Sequence, residues 1–247
     1  PAADAGTAVA AYRVLRDGSL VATVGTTGYT DAASLADGSH AYVVRAVDAA
    51  GNVSADASVA VVVDATAPSA VGALAAATPT GTLPVLTWSA ATDATSGIDR
   101  YLIARDGTII ATTTARTYRD VYDDPSMADG VYVYMVTAED RAGNRGAAAT
   151  VTVLVDQTAP STPGDLAAAT PTSSAPALAW SPSSDGGSGV ASYRVLRDGA
   201  VIATVNGTSF VDASVGDGTY QYAVRAVDAA GNASGLASLE VIVDTTT

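Results

Sequence analysis

One motif occurs three times along the chain, as Tyr12-Arg-Val-Leu-Arg-Asp-Gly18, Tyr101-Leu-Ile-Ala-Arg-Asp-Gly107 and Tyr193-Arg-Val-Leu-Arg-Asp-Gly199. Its tyrosines stand 101 − 12 = 89 and 193 − 101 = 92 residues apart, so the 247 residues read as repeats of about ninety and not as one large β domain. That period fits a β-sandwich module and exceeds any solenoid repeat. It predicts an incomplete module over 1–64 and complete modules over 65–156 and 157–247.

The third repeat shows the pattern most clearly. Ala177-Leu-Ala-Trp180 alternates as a strand carrying a core Trp, and the Ser/Gly/Pro/Asp-rich stretch 181–189 reads as a loop. Residues 193–197 alternate again, and Asp198-Gly199 is a two-residue hairpin signal. A return strand, a short strand, a long strand through Tyr220, Tyr222, Val224 and Ala226, the turn Asp228-Ala-Ala-Gly-Asn232 and a final strand complete seven. Trp88 and Trp180 are the expected core tryptophans, and helix is expected to be nearly absent. Aligning Tyr12 with Tyr101 leaves the first repeat without a Trp and without its first two strands. Residues 2–64 are expected to keep the remaining five, with the vacant edge and face open to β-strand addition from sequence outside these residues, upstream in the same chain or in a different protein.

Basic residues number 12, all Arg, against 25 acidic ones, and the net charge of −13 argues against nucleic acid or an anionic membrane surface as partner. No apolar run is long enough for membrane insertion. With no Cys and no Lys, neither a disulfide nor a Lys-Asn isopeptide staple is available, so each module relies on its core unless a metal helps.

Trp180, the Tyr193–Gly199 motif, Tyr220-Gln-Tyr-Ala-Val-Arg-Ala-Val-Asp-Ala-Ala-Gly-Asn232 and the Thr-Ala-Pro linkers resemble bacterial fibronectin type III modules. Asp217-Gly-Thr-Tyr220 followed by Asp228-Ala-Ala-Gly-Asn232 also resembles the bacterial immunoglobulin-like repeats of surface adhesins. Either resemblance implies an all-β chain of tandem immunoglobulin-like antiparallel sandwiches set end to end, secreted or displayed on a bacterial surface. It also implies a tyrosine corner at Tyr132 and Tyr220, a position held in the first repeat by His40, the lone histidine. A lone His without Cys or His neighbours is read as a drifted corner residue and not as a transition-metal ligand.

Acidic residues recur at the same turn in every repeat, whereas an active site occurs once, so no enzymatic role and no catalytic residue is expected. The expected function is a non-catalytic extracellular structural array: a stalk, fibre or surface-layer spacer. Its partners would be further repeats of the same or a neighbouring chain, or a cell-surface or matrix component. The alternatives are an adhesive or carbohydrate-binding module, or the spacer region of a larger secreted hydrolase. The scattered Tyr29, Tyr118 and Tyr122 read as strand residues and not as a sugar platform. In such a sandwich the incoming linker, the loop after the second strand and the turn before the last strand share one end. They would gather Asp64, Asp93 and Asp140 at one junction and Asp156, Asp185 and Asp228 at the next. Two roles fit these carboxylates: calcium ligands that stiffen the junction, or loop and turn formers closed by Gly143 and Gly231. The linkers 64–68 and 156–160, each ending in Pro, are expected to be stiff.

Overall fold

The computed structural model describes residues 8–121 and 127–246. All regular structure among them is β-strand. The chain forms two compact units, each taken by itself below: Pro1–Gly72 with Ala90–Leu102 and Thr137–Ala149, and Ala73–Ser89 with Ile103–Val136 and Thr150–Thr247.

The third repeat, within the second unit, contains β12 (Gly164–Ala167), β13 (Ala177–Ser181), β14 (Val190–Arg197), β15 (Ala200–Val205), β16 (Ser209–Val211), β17 (Gly218–Asp228) and β18 (Ala237–Val243). They form a three-stranded sheet in the order β12-β13-β16 and a four-stranded sheet in the order β15-β14-β17-β18. Alternation at period two turns Tyr222, Val224 and Ala226 of β17 inward to join Leu178, Trp180, Tyr193, Val195, Val241 and Val243 in one core. Tyr220 on the same strand is only half-buried. The Trp180 and Tyr193 rings meet at 5.5 Å with a 58° tilt, and truncating such a Trp to Ala costs about 3–5 kcal/mol.

The second repeat runs through β5 (Gly72–Ala75), β6 (Val85–Ser89), β7 (Ile98–Arg105), β8 (Thr108–Thr113), β9 (Thr117–Arg119), β10 (Gly130–Asp140) and β11 (Ala149–Val155), and its strands contribute to both units. Its sheets have the orders β5-β6-β9 and β11-β10-β7-β8, and Trp88 is buried.

The first repeat holds β1 (Val9–Arg16), β2 (Ser19–Val24), β3 (Gly38–Asp48) and β4 (Ala57–Val63) in one sheet of order β2-β1-β3-β4. Five strands were expected in residues 2–64, and four are present among the described residues. The missing one aligns with β9 and β16, each of which hydrogen-bonds only to the inner strand of a three-stranded sheet. Without that partner the backbone around Tyr29 has no ladder to join, so Tyr29 lies outside any strand. Tyr118 does lie on β9, and Tyr122 falls outside the described residues.

The Arg-Asp-Gly motifs are two-residue hairpin turns. Asp17, Asp106 and Asp198 have φ of 49°, 50° and 50°, and Gly18, Gly107 and Gly199 have φ of 80°, 83° and 81°. Two successive left-handed residues give the type I′ geometry whose twist matches the flanking strands.

Candidate functional site at the repeat junctions

Each long strand ends in an Asp that organises the turn after it. Asp228 Oδ1 accepts from the Asn232 amide at 2.8 Å and its Oδ2 from Asn232 Nδ2 at 2.8 Å. Asp140 repeats this with Asn144 at 2.9 and 2.8 Å. Gly143 and Gly231 close the two turns at φ of 93° and 96°. Burial works against ionisation of Asp140, yet the hydrogen bonds from Asn144 and neighbouring amides hold its carboxyl below the usual carboxylate range.

The same asparagines reach back to the incoming linker. Asn232 Nδ2 donates to the Asp156 carbonyl at 2.7 Å, and Asn144 Nδ2 to the Asp64 carbonyl at 3.0 Å. The linker carboxylates in turn cap the loop after the second strand: Asp156 Oδ2 accepts from Ser188 N at 2.7 Å and Asp64 Oδ2 from Ser96 N at 3.1 Å. Within that loop Asp185 accepts from Gly189 N at 2.5 Å and Asp93 from Gly97 N at 2.7 Å. A Cβ on Gly187 would lie 2.5 Å from the Asp156 carboxyl carbon, so this close approach requires glycine.

The fold therefore brings together both predicted trios. In Asp64, Asp93 and Asp140, and again in Asp156, Asp185 and Asp228, one carboxylate oxygen from each residue lies within 4.8 Å of the others. Asp140, Asp156 and Asp228 are buried. None of the six enters an ion pair found among the described residues. Asp185 Oδ1 is buried without a hydrogen-bond partner. Two ionised carboxylates 4.8 Å apart repel by about 3.5 kcal/mol at an effective dielectric constant of about 20. The turn-forming and ligand-presenting readings thus share the same atoms, since oxygens that accept amide bonds keep further lone pairs.

The corner expected at the start of the long strand is present in all three repeats. Tyr132 and Tyr220 donate to the carbonyls of Ala128 and Gly216 at 2.9 and 3.2 Å, and His40 Nε2 lies 3.0 Å from the Ala36 carbonyl. Both tyrosines are half-buried. Tyr134 and Tyr222, two residues further on, are 0% exposed.

Those two belong to a constellation that the sequence reading missed. Tyr222 and Arg197 both donate to Asp212 Oδ2, Tyr134 and Arg105 to Asp120 Oδ2, and Tyr42 and Arg16 to Asp31 Oδ2. Burial pushes the Tyr222 hydroxyl up to about 12, with Asp212 adding to the effect. Burial opposes ionisation of Asp212, but bonds from Ser214, Tyr222 and Arg197 hold its pKa below normal. The available signal was an Asp 15 residues after the motif Arg in every repeat. Between repeats, Gly81 N donates to Ala230 O at 3.2 Å inside the second unit.

Among the described residues no helix is long and apolar enough to cross a membrane. Residues 4–65 match the family model described as a bacterial Ig-like domain. Exoglucanase B of Cellulomonas fimi is 40% identical over 245 residues, covering 92% of this chain and 22% of that protein. Exoglucanase A of the same organism is 39% identical, covering 92% of this chain and 28% of that protein. Chitinase A1 of Niallia circulans is 34% identical, covering 74% of this chain and 27% of that protein. The chain thus spans about a quarter of the length of these relatives. Among solved structures, the FN1-FN3 domains of chicken CNTN1 superpose with a TM-score of 0.50 at 18% identity, covering 83% of this chain and 77% of that one, a likeness of fold.

Proposed function

We propose that this chain, a tandem array of fibronectin type III-like and bacterial immunoglobulin-like modules, is a non-catalytic spacer within a secreted bacterial polysaccharide hydrolase. One observation carries the reading. The region is shared by proteins named exoglucanase and chitinase, which act on different polymers, and it makes up about a quarter of each. A segment common to enzymes of different specificity is not the part that sets the chemistry. Polymeric substrates of that kind lie outside the cell, which supports an extracellular location. The side chains agree: the lone His serves a corner, and the recurring carboxylates organise turns, linkers and Arg-Tyr clusters. The test is to incubate the purified 247-residue chain with cellulose and chitin. Neither released sugar nor retention on the polymer is expected; retention would favour the carbohydrate-binding alternative, and released sugar would end the spacer reading.

The aspartate trios belong to this proposal as calcium ligands at the junctions. The buried, unpartnered Asp185 Oδ1 favours that role over turn formation alone, because a carboxylate oxygen removed from water with no donor is stabilised by a hard cation. The ion would bind the linker carboxylate to the loop and turn of the module that follows, stiffening the spacer. Calcium is expected to raise the melting temperature of the intact chain relative to EDTA, and Asp185→Asn to remove the share of that rise that comes from the Asp156, Asp185 and Asp228 junction, leaving the share from Asp64, Asp93 and Asp140. Equal melting temperatures in the two buffers would remove calcium and leave the spacer reading standing.

A further inference from the structure

Three of the four asparagines in the chain are held fast. Asn52 Nδ2 donates to Asp48 Oδ2 at 2.7 Å, and Asn144 and Asn232 each bond a turn carboxylate and a linker carbonyl. The residue after each, Val53, Arg145 or Ala233, carries a Cβ and sits in an isolated β-bridge to Val47, Glu139 or Val227. Asn206 differs on every count. It lies with Gly207 in the bend between β15 and β16, and both residues are exposed. Among the described residues neither the Asn206 side chain nor the Gly207 amide has a hydrogen-bond partner. The matching loop of the second repeat keeps that amide engaged, since Ala115 N donates to Thr113 Oγ1 at 3.0 Å. Val205 stands where Thr113 does and has no hydroxyl, so the Gly207 amide is left to water. A Cβ at Gly207 would meet nothing within 4 Å, so the bend has open space around it as well as the backbone freedom of glycine.

We infer that Asn206-Gly207 is a site of spontaneous covalent modification, at which the side-chain amide is lost and the main chain is rerouted. The deprotonated Gly207 nitrogen attacks Asn206 Cγ. The N–Cγ bond forms, the Cγ–Nδ2 bond breaks, and ammonia leaves with the proton that Gly207 gave up. Water then opens the five-membered succinimide. Addition at Cγ gives aspartate; addition at the main-chain carbonyl carbon of residue 206 gives isoaspartate, whose chain runs through Cβ and Cγ and gains a carbon. Nucleophile and electrophile are neighbours in one chain, so the only other reactant is water. The extra carbon enters the connection between the two sheets of the third repeat. Just beyond it the Thr208 carbonyl accepts the Trp180 amide at 3.0 Å. Conversion to isoaspartate therefore displaces that acceptor and loosens β13 from β16. The matching positions of the other repeats, Gly25-Thr26 and Thr114-Ala115, carry no asparagine, so only the third repeat ages at this loop.

The test holds the full chain in mildly alkaline buffer below its melting temperature and follows all four asparagines by peptide mass mapping that separates isoaspartate from aspartate. Asn206 is expected to convert first, to both products, and faster as pH rises and the Gly207 amide deprotonates, while Asn52, Asn144 and Asn232 keep their amides. Gly207→Ala should slow conversion by about fivefold or more, because Ala reaches fewer backbone conformations. Exchange of the Trp180 amide should speed by about tenfold in the isoaspartyl chain. It should stay unchanged in Asn206→Asp, which adds the charge without the carbon. An Asn206 amide that lasts as long as that of Asn232, or that is lost only after unfolding in urea, would overturn the inference. Aspartate without isoaspartate would replace cyclisation by direct hydrolysis, and unaltered Trp180 exchange in the isoaspartyl chain would overturn the effect on the sheet.

Discussion

At His40 an imidazole does the work that tyrosine does at the other corners, and it brings a proton equilibrium with it. Nε2 lies 3.0 Å from the Ala36 carbonyl and Nδ1 lies 2.8 Å from Asp17 Oδ2. Both partners are acceptors, so the doubly protonated ring satisfies both at once. The Ala36 carbonyl, then Asp17, raises the His40 pKa above 6.5, with burial opposing. A folded-state pKa above the unfolded one stabilises the fold fully below pH 6.5, and that contribution fades as pH rises through the folded value. An NMR titration is therefore expected to place His40 above 6.5, and the first repeat to melt at lower temperature as pH climbs past that value. His40→Tyr should keep the corner and abolish this pH dependence. A titration at or below 6.5 would show that the contacts do not favour the charged ring.

For the elements, local chemistry decides hairpins and partners decide strands. Asp198 holds φ at 50° and also accepts the Gln221 amide through Oδ1 at 2.9 Å, so one residue shapes the β14–β15 turn and ties it to β17. Asp198→Ala loses that bond and places a residue poorly suited to the left-handed region there. The expected loss is about 1–2 kcal/mol of stability in the third repeat, measured by urea denaturation, whereas Asp198→Asn should lose less. An Ala variant as stable as the parent would mean that strand pairing alone sets the turn. The contrast lies at Tyr29, whose sequence resembles that of a strand but whose ladder partner is missing.

Over the whole chain, the linkers are held by side chains distant in sequence. Asp129 Oδ1 accepts the Gln157 amide at 2.6 Å and its Oδ2 accepts the Thr158 hydroxyl; Asp37 holds Ala65 N at 2.8 Å and the Thr66 hydroxyl. Repeat boundaries at 64/65 and 156/157 remain our proposal, and these pins bear on how they behave. Asp129→Ala should free residues 156–160, and a broad-specificity protease should then cut there several-fold faster than in the parent chain. If the two chains are cut at equal rates, Pro160 and the Asn232 bond to the Asp156 carbonyl suffice to hold the linker.

The sequence by itself determined the repeat, the strand count of the third module, the hairpin turns, the corner at His40 and the six aspartates that converge. The repeat, the strand count and the hairpin turns follow from short-range rules, alternation at period two, the left-handed tolerance of Asp-Gly and the recurrence of one position at a fixed spacing, whereas the corner and the convergence of the aspartates follow from the resemblance to a sandwich family. Only the tertiary structure decided that Asp31, Asp120 and Asp212 are the acceptors for the motif arginines, that Asp185 keeps an oxygen buried without a donor, and that residues 28–30 fail to form a strand. Each of these depends on what lies across a sheet or beside a loop. A strand exists through its ladder partner and a buried carboxylate through its donors, and neither partner is adjacent in the chain.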